Sequence, residues 1–151
     1  MLVISKYGLD TKRFDSSSNN WANSEIRKWL NGDFYNKAFT DQEKKSIKSS
    51  NLSDVGTTDN VFLLSGDWHG NGEVNDYFAN NESRRCKATE YVLKKNNWAE
   101  SETDGYFGCW LRSPIPDDSN CVYGVSSDGY VFYYIVNFTS ILVRPALWIN
   151  L

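Results

Sequence analysis

The sequence predicts an α+β domain with helices in its N-terminal half and a β-rich C-terminal third, and three observations carry that reading. Apolar residues at helical spacing and a capping-box pattern fall in the first half, while β-branched and aromatic runs dominate after residue 110. Asp128-Gly129 stands between two of those runs as a hairpin turn signal. At 151 residues the chain has room for one core, so a single domain over 1–151 is expected.

Taken in order, Leu2-Val3-Ile4 reads as a terminal strand, expected to pair or pack beside Leu147-Trp148-Ile149 and bring the termini together. The Ser/Asn-rich stretch 15–20 reads as a loop. Ile26, Trp29 and Leu30 share a helical face behind Asn23 or Ser24 as N-cap, and Asn31-Gly32 is expected to stop that helix. Thr40-Asp41-Gln42-Glu43 is a capping box opening a second helix to about Lys48. Residues 51–60 read as loop, Val61-Phe62-Leu63-Leu64 as a buried extended segment, and 66–72, with three glycines, as an exposed loop. Val74, Tyr77 and Phe78 form one helical stripe, and Tyr91, Val92 and Leu93 a weaker one. After a polar stretch over 96–108, residues 110–111, 122–125, 130–136 and 146–151 are strand-like.

Composition narrows the function. Net charge is −3 and the sixteen basic residues are scattered, so nucleic-acid binding has no electrostatic footprint. No apolar run approaches the roughly 18 residues of a membrane span, and Met1 to Lys6 is too short to be a signal peptide. Neither membrane insertion nor a signal peptide is expected. The unusual figure is 15% aromatic residues, a type that dominates both cores and contact surfaces.

Catalytic and metal chemistry find little to stand on, and no cofactor is expected. His69, the only histidine, lies in the glycine-rich loop with nothing evident to fix its tautomer. Asp67, His69 and Glu73 match no strong metal spacing. Cys86, Cys109 and Cys121 are odd in number and lack C-x-x-C spacing, so they read as buried or incidental thiols. Asp117-Asp118 reads as a solvated loop rather than a calcium site. Arg112 and Arg144 each sit inside an apolar motif, which points to guanidinium groups holding loop carbonyls or an acid such as Asp33 or Glu25. The competing reading is an anion clamp for a ligand. Trp110 and Trp148, with Trp21 and Trp29, read as core.

Several motifs carry a resemblance. Trp29-Leu30-Asn31, Asp33-Phe34 with Ala38-Phe39, Val61-Phe62-Leu63-Leu64-Ser65, Trp110-Leu111-Arg112-Ser113-Pro114 and Val143-Arg144-Pro145-Ala146-Leu147-Trp148-Ile149 stand in order along nearly the whole chain. Together they resemble a widespread bacterial domain family of uncharacterised function, whose members often begin with an N-terminal hairpin that this chain is expected to lack. The C-terminal pattern also resembles the variable proteins of diversity-generating retroelements. Those proteins have a C-type-lectin-like fold related to that of the formylglycine-generating enzyme, and an error-prone reverse transcriptase randomises adenines in their C-terminal coding segment. This chain departs from the pattern at Ile115 and Leu142, where glycine is common, and in the Trp/His/Gly loop after Ser65. Neither Cys109 nor Cys121 lies in a motif matching the enzyme's active site.

The resemblance implies a C-type-lectin-like, non-enzymatic domain that displays diversified side chains to a protein or glycan ligand; the alternative is a non-diversified structural or adhesion module of the same family. Composition agrees with diversification. Adenine mutation of AAC or AAT codons reaches Asn, Tyr, Phe, Ser and Ile but never Lys, Glu, Gln, Met or Trp. Residues 111–147 contain none of those five types, whereas the rest of the chain holds ten Lys, seven Glu, one Gln, one Met and six Trp. The aromatic block 130–138 is either a strand buried on both faces, with Val131, Tyr133 or Ile135 as one inward set, or an exposed patch. With the resemblance added, Ser119, Asn120, Tyr123, Ser126, Tyr130, Phe132, Tyr134, Asn137, Phe138, Ser140 and Ile141 are expected to form one partly exposed ligand face.

Overall fold

The computed structural model describes residues 1–151 apart from the side chain of Glu102. In chain order it contains β1 (Leu2–Ile4), β2 (Tyr7–Gly8), β3 (Asp10–Thr11), α1 (Glu25–Trp29), α2 (Tyr35–Ala38), α3 (Asp41–Lys44), β4 (Ile47–Lys48), β5 (Ser50–Leu52) and β6 (Thr57–Asp59). There follow α4 (Glu73–Tyr77), α5 (Asn81–Arg84), β7 (Cys86–Ala88), α6 (Glu90–Asn96), β8 (Tyr106–Phe107), β9 (Cys109–Pro114), β10 (Cys121–Val125), β11 (Val131–Ile135), β12 (Leu142–Val143) and β13 (Ala146–Ile149).

The architecture is a mixed α+β single domain around a curled, half-barrel sheet. Its five strands run in the order β11-β10-β9-β12-β3, all antiparallel except β12 against β9. Between the pairs Val122–Pro114 and Gly124–Trp110 the register slips, because β9 carries extra residues there. Such a bulge bends a strand and raises its twist. The expected pairing of the chain ends is present: Leu2, Val3 and Ile4 stand opposite Trp148, Leu147 and Ala146. The N-terminal ammonium adds a 2.8 Å bond to Ile149 O. Strand β4 extends that sheet on the other side of β13.

The N-terminal half departs from expectation at several points. Ser24 caps α1 through its side chain, as the sequence predicts, but Asn31-Gly32 does not end the helix. The chain continues through a π-helical turn, Leu30–Phe34, into α2. Asn31 is needed inside it: its amide accepts from Asn60 and Val61 N–H at 2.9 and 3.0 Å and donates to Val61 O at 2.8 Å. A widened turn accommodates that reach. The Thr40–Glu43 capping box forms, yet α3 ends at Lys44 and β4 claims Ile47 and Lys48. Residues expected as loop over 51–60 contain the hairpin β5–β6. The stretch 61–64 is fully buried and extended, with Phe62 bridging Ala146.

The core lies between the curled sheet and the helices. Phe14 packs between Trp21 and Trp110 at ring distances of 6.1 and 5.7 Å. Buried indoles need an acceptor; Trp110 Nε1 donates to Lys12 O at 2.8 Å and Trp21 Nε1 to Asp59 Oδ2 at 2.9 Å. Asp59 also accepts from Arg27 Nε and Thr57 Oγ1, so this buried carboxylate is fully engaged. Among the described residues no helix is long and apolar enough to cross a membrane.

Candidate binding face

The two motif arginines do different jobs. Arg112 is buried on β9, and its guanidinium donates to both oxygens of Asp54 at 2.9 Å, to Glu73 Oε2 at 2.6 Å and to Leu63 O at 2.7 Å. Its partners are therefore Asp54 and Glu73, not Asp33 or Glu25. Burial opposes the charge, but the two carboxylates outweigh that and raise the guanidinium pKa. Arg144 is only half-buried. It donates to Ser5 O and Arg84 O at 2.8 and 3.1 Å and lies 4.8 Å over the Phe78 ring. Trp110 is buried and Trp148 half-buried.

Strands β10 and β11 form the predicted hairpin around Asp128-Gly129, with Tyr123 opposite Tyr133 and Gly124 opposite Phe132. Of the expected ligand residues, Tyr130, Phe132 and Phe138 are 59, 49 and 43% exposed. Ser119, Asn120, Asn137 and Ser140 are exposed, and Ser126 is half-buried at the turn. Two others belong to the core instead: Tyr123 at 4% and Ile141 at 6% exposure. Tyr123 lies on the strand with neighbours on both sides and under Trp68, and Ile141 directly precedes β12. Tyr134 is half-buried and divided between roles. Its ring covers Gly124, where a Cβ would come within 2.6 Å of it, and meets Trp110 edge-on at 5.9 Å. Burial, helped by Cys109 and Asp128, pushes its phenol up to about 12.

Three residues outside the expected set are also exposed on or beside β11. Tyr133 and Ile135, expected inward, are 40 and 42% exposed, and Trp68 is 50% exposed. Trp68 meets Tyr133 and Tyr123 edge-on at 5.9 and 5.4 Å, and Tyr133 stacks on Phe132 at 4.8 Å. The rings thus run continuously from Trp68 through Tyr133 and Phe132 to Tyr134. An aromatic flanked by glycines in an exposed loop was the available signal for Trp68. For Tyr133 and Ile135 the block offers only the amide of Asn137 at its far end, so alternation assigns neither side of the strand to the core.

The backbone beneath these side chains is firmly held. Asn19 Nδ2 donates to Asp118 O and Cys121 O at 2.8 and 2.9 Å, and Asn19 N–H to Ser119 O at 2.9 Å. The hairpin tip rests on α5: Arg85 Nε donates to Ser127 O at 2.9 Å, and Gly129, at φ 88°, approaches Asn81 too closely to carry a Cβ. Beyond β11, Val136 O accepts from Phe14 and Asp15 N–H. The Trp68 loop is closed by Gly66 N–H to Ser113 Oγ at 3.0 Å and by Asp67. Burial pushes the Asp67 carboxyl up, but bonds from Asn71 and His69 hold it below its ordinary range.

The residues weighed for other chemistry are engaged within the fold. His69 Nε2 accepts from Trp68 Nε1 at 3.2 Å on the exposed loop. Glu73 is committed to Arg112 and to Ser65 N–H at 2.9 Å. All three cysteines are free and buried. Contact with Cys109 and burial both push the Cys86 thiol up, and its Sγ donates to Lys87 O at 3.7 Å. Asp117, at φ 63°, and Asp118 lie on the exposed loop between β9 and β10.

The chain belongs to the family described as Domain of unknown function (DUF6273), whose model matches residues 1–151. No curated protein and no solved structure matches it.

Proposed function

We propose that the chain is a non-enzymatic display domain with a C-type-lectin-like fold, which presents diversified side chains of its C-terminal third to a protein or glycan ligand. One observation carries this reading. Tyr130, Phe132, Tyr133 and Phe138 are all exposed, all lie within the 111–147 stretch that adenine mutation can reach, and all stand on a backbone tied down by residues outside that stretch. An exposed aromatic cluster on a soluble surface marks a contact site, and tyrosine gives large, rigid contact area at low entropic cost. The division of labour suits diversification, because Asn19, Asn81, Arg85 and Trp68 are scaffold positions that remain constant while side chains beside them change.

The decisive experiment is to sequence the DNA flanking the coding region. A reverse-transcriptase gene and a near-copy of the segment encoding 111–147, with adenine wherever the two copies differ, are expected. A flanking region without either would make the chain a non-diversified adhesion or structural module of its family.

A further inference from the structure

The hairpin determines which backbone groups of β11 are spare. Ser126 N–H donates to Tyr130 O at 2.8 Å and Val136 N–H to Asn120 O at 2.9 Å, the two pairs that bracket the β10–β11 ladder. Bonded and non-bonded pairs alternate along an antiparallel ladder. Phe132 and Tyr134 therefore bond to β10, while Val131, Tyr133 and Ile135 aim their N–H and C=O groups away from it. Ile135 O accepts from Phe138 N–H at 3.1 Å; the remaining three N–H and two C=O groups have no partner among the described residues. Strand β11 is also the end of the five-stranded sheet. Soluble proteins blunt such edges with Lys, Pro or bulges, yet Val-Phe-Tyr-Tyr-Ile has neither residue and its register with β10 is unbroken.

Charge says what fits. Residues 113–143 contain no Lys or Arg but three acids, Asp117, Asp118 and Asp128. The charge of Asp128 is felt at Tyr134 and that of Asp67 at Tyr123, so acids flank the aromatic surface on both sides. The nearby cations are occupied: Arg112 by Asp54 and Glu73, Arg85 by Ser127 O and Glu82, and Arg144 by two carbonyls. Exposed ring faces beside carboxylates attract cations. Arg85 is felt at Asp128, but its ion pair is with Glu82, and neither Asp67 nor Asp128 has a salt-bridge partner among the described residues. A second copy of this chain would set acid against acid.

Resting on the display reading, we propose that β11 docks an extended, basic segment of a partner protein, which adds to the sheet as a sixth strand. Its backbone pairs with Val131, Tyr133 and Ile135, and its Lys or Arg side chains lie against Phe132, Tyr133 and Trp68 within reach of Asp67 and Asp128. Main-chain pairing supplies affinity that survives side-chain diversification, and the side chains on either side of the edge supply specificity.

The test is a titration of the full chain with the peptide acetyl-Lys-Val-Lys-Thr-Lys-Val-Lys-amide, followed by amide NMR. Saturable shifts at Val131, Tyr133 and Ile135 are expected. A Glu-for-Lys peptide and a peptide N-methylated at alternate residues should each bind at least about tenfold more weakly. In the protein, Tyr133→Pro removes an outward N–H that an edge strand can spare, and it should weaken binding about tenfold more than Tyr133→Thr. If Tyr133→Pro does not fold, the N-methylated peptide carries the same comparison. No saturable shift at millimolar peptide, equal binding by the glutamate peptide, indifference to N-methylation, or self-association of the free chain through these same amides would each overturn the proposal. A template repeat found beside the gene with a silent titration would remove the docking strand and keep the display reading. Peptide binding without a repeat would do the reverse for diversification.

Discussion

Strands β10 and β11 face each other across one hairpin, Cys-Val-Tyr-Gly-Val against Val-Phe-Tyr-Tyr-Ile, and neither contains a charged or amide residue. All five residues of β10 are buried, whereas Phe132, Tyr133 and Ile135 on β11 are exposed. Hydrophobicity does not separate the two strands; their place in the sheet does. Strand β10 has β9 on one side and β11 on the other, with Trp68 over Tyr123, while β11 has a neighbour on one side only. An interior strand that carries apolar groups adds stability, and an edge strand that carries them keeps a surface available for contact.

The sharpest way to break this contrast is to attack the interior. Arg112→Ala on β9 would leave Glu73, Asp54 and Leu63 O without their shared donor. Losing one partner of a buried ion pair typically costs about 3–5 kcal/mol, but Asp54 is exposed enough for water to take part of its loss, so about 3 kcal/mol is expected. Denaturant unfolding measures it. A loss below about 1 kcal/mol would mean that the guanidinium is not structural and would revive the anion clamp. Arg144→Ala, which breaks two bonds to carbonyls at a half-buried site, should cost less, about 1 kcal/mol.

Gly124→Ala probes the junction of the two strands. The added Cβ would lie 2.6 Å from the Tyr134 ring and 2.8 Å from Cys109 O, and the latter is backbone that cannot swing aside. Overpacking of this kind costs about 2 kcal/mol. A variant as stable as the parent would show that the hairpin floats on β9, and the rigid-backbone part of the comparison would fail.

Tyr134 gives a pH readout of the same junction. The folded state holds its phenol at about 12, above the ordinary value of 10.0, so between those values the folded protein binds more protons than the unfolded one. Its contribution is therefore complete below about pH 10 and is lost as pH rises towards 12. Thermal melts across that window should fall more steeply for the parent than for Tyr134→Phe. Parallel curves would place Tyr134 with the freely exposed rings of β11.

Much of the scaffold was legible because its signals are local. The Thr40–Glu43 capping box, the Asp128-Gly129 turn and the terminal strand Leu2–Ile4 each declare themselves within a few residues. What misled were residues whose partners are distant in sequence. Asn31 reads as a helix stop until it is seen to hold the backbone at Asn60 and Val61, and residues 51–60 read as loop because β5 and β6 are short and polar. The aromatic face was legible as a region but not residue by residue. Alternation sorts a strand into two faces only when one of them is covered, and sheet order, which a single sequence does not contain, decides that for Tyr123, Tyr133 and Ile135.

The smallest effect is expected where the face is most exposed, in the combined variant Tyr130→Ser, Phe132→Ser and Phe138→Ser. Each ring is already about half in water, so each substitution removes little buried area, and surface changes of this kind usually stay within about 0.5 kcal/mol. Phe132 loses more than the others because it stacks on Tyr133, a contact worth about 1 kcal/mol. Against this, removing three exposed rings reduces the apolar surface presented to solvent, so the net change should be about 1 kcal/mol or less. Melting temperature should barely move, while binding to an array of basic peptides and glycans should fall for every ligand that the parent retains. Unfolding of this variant near room temperature would place the three rings in the core function that β10 performs, and the contrast between the two strands would collapse. A stable variant with an unaltered binding profile would leave the contrast in burial standing and move the ligand surface to the Trp68 loop.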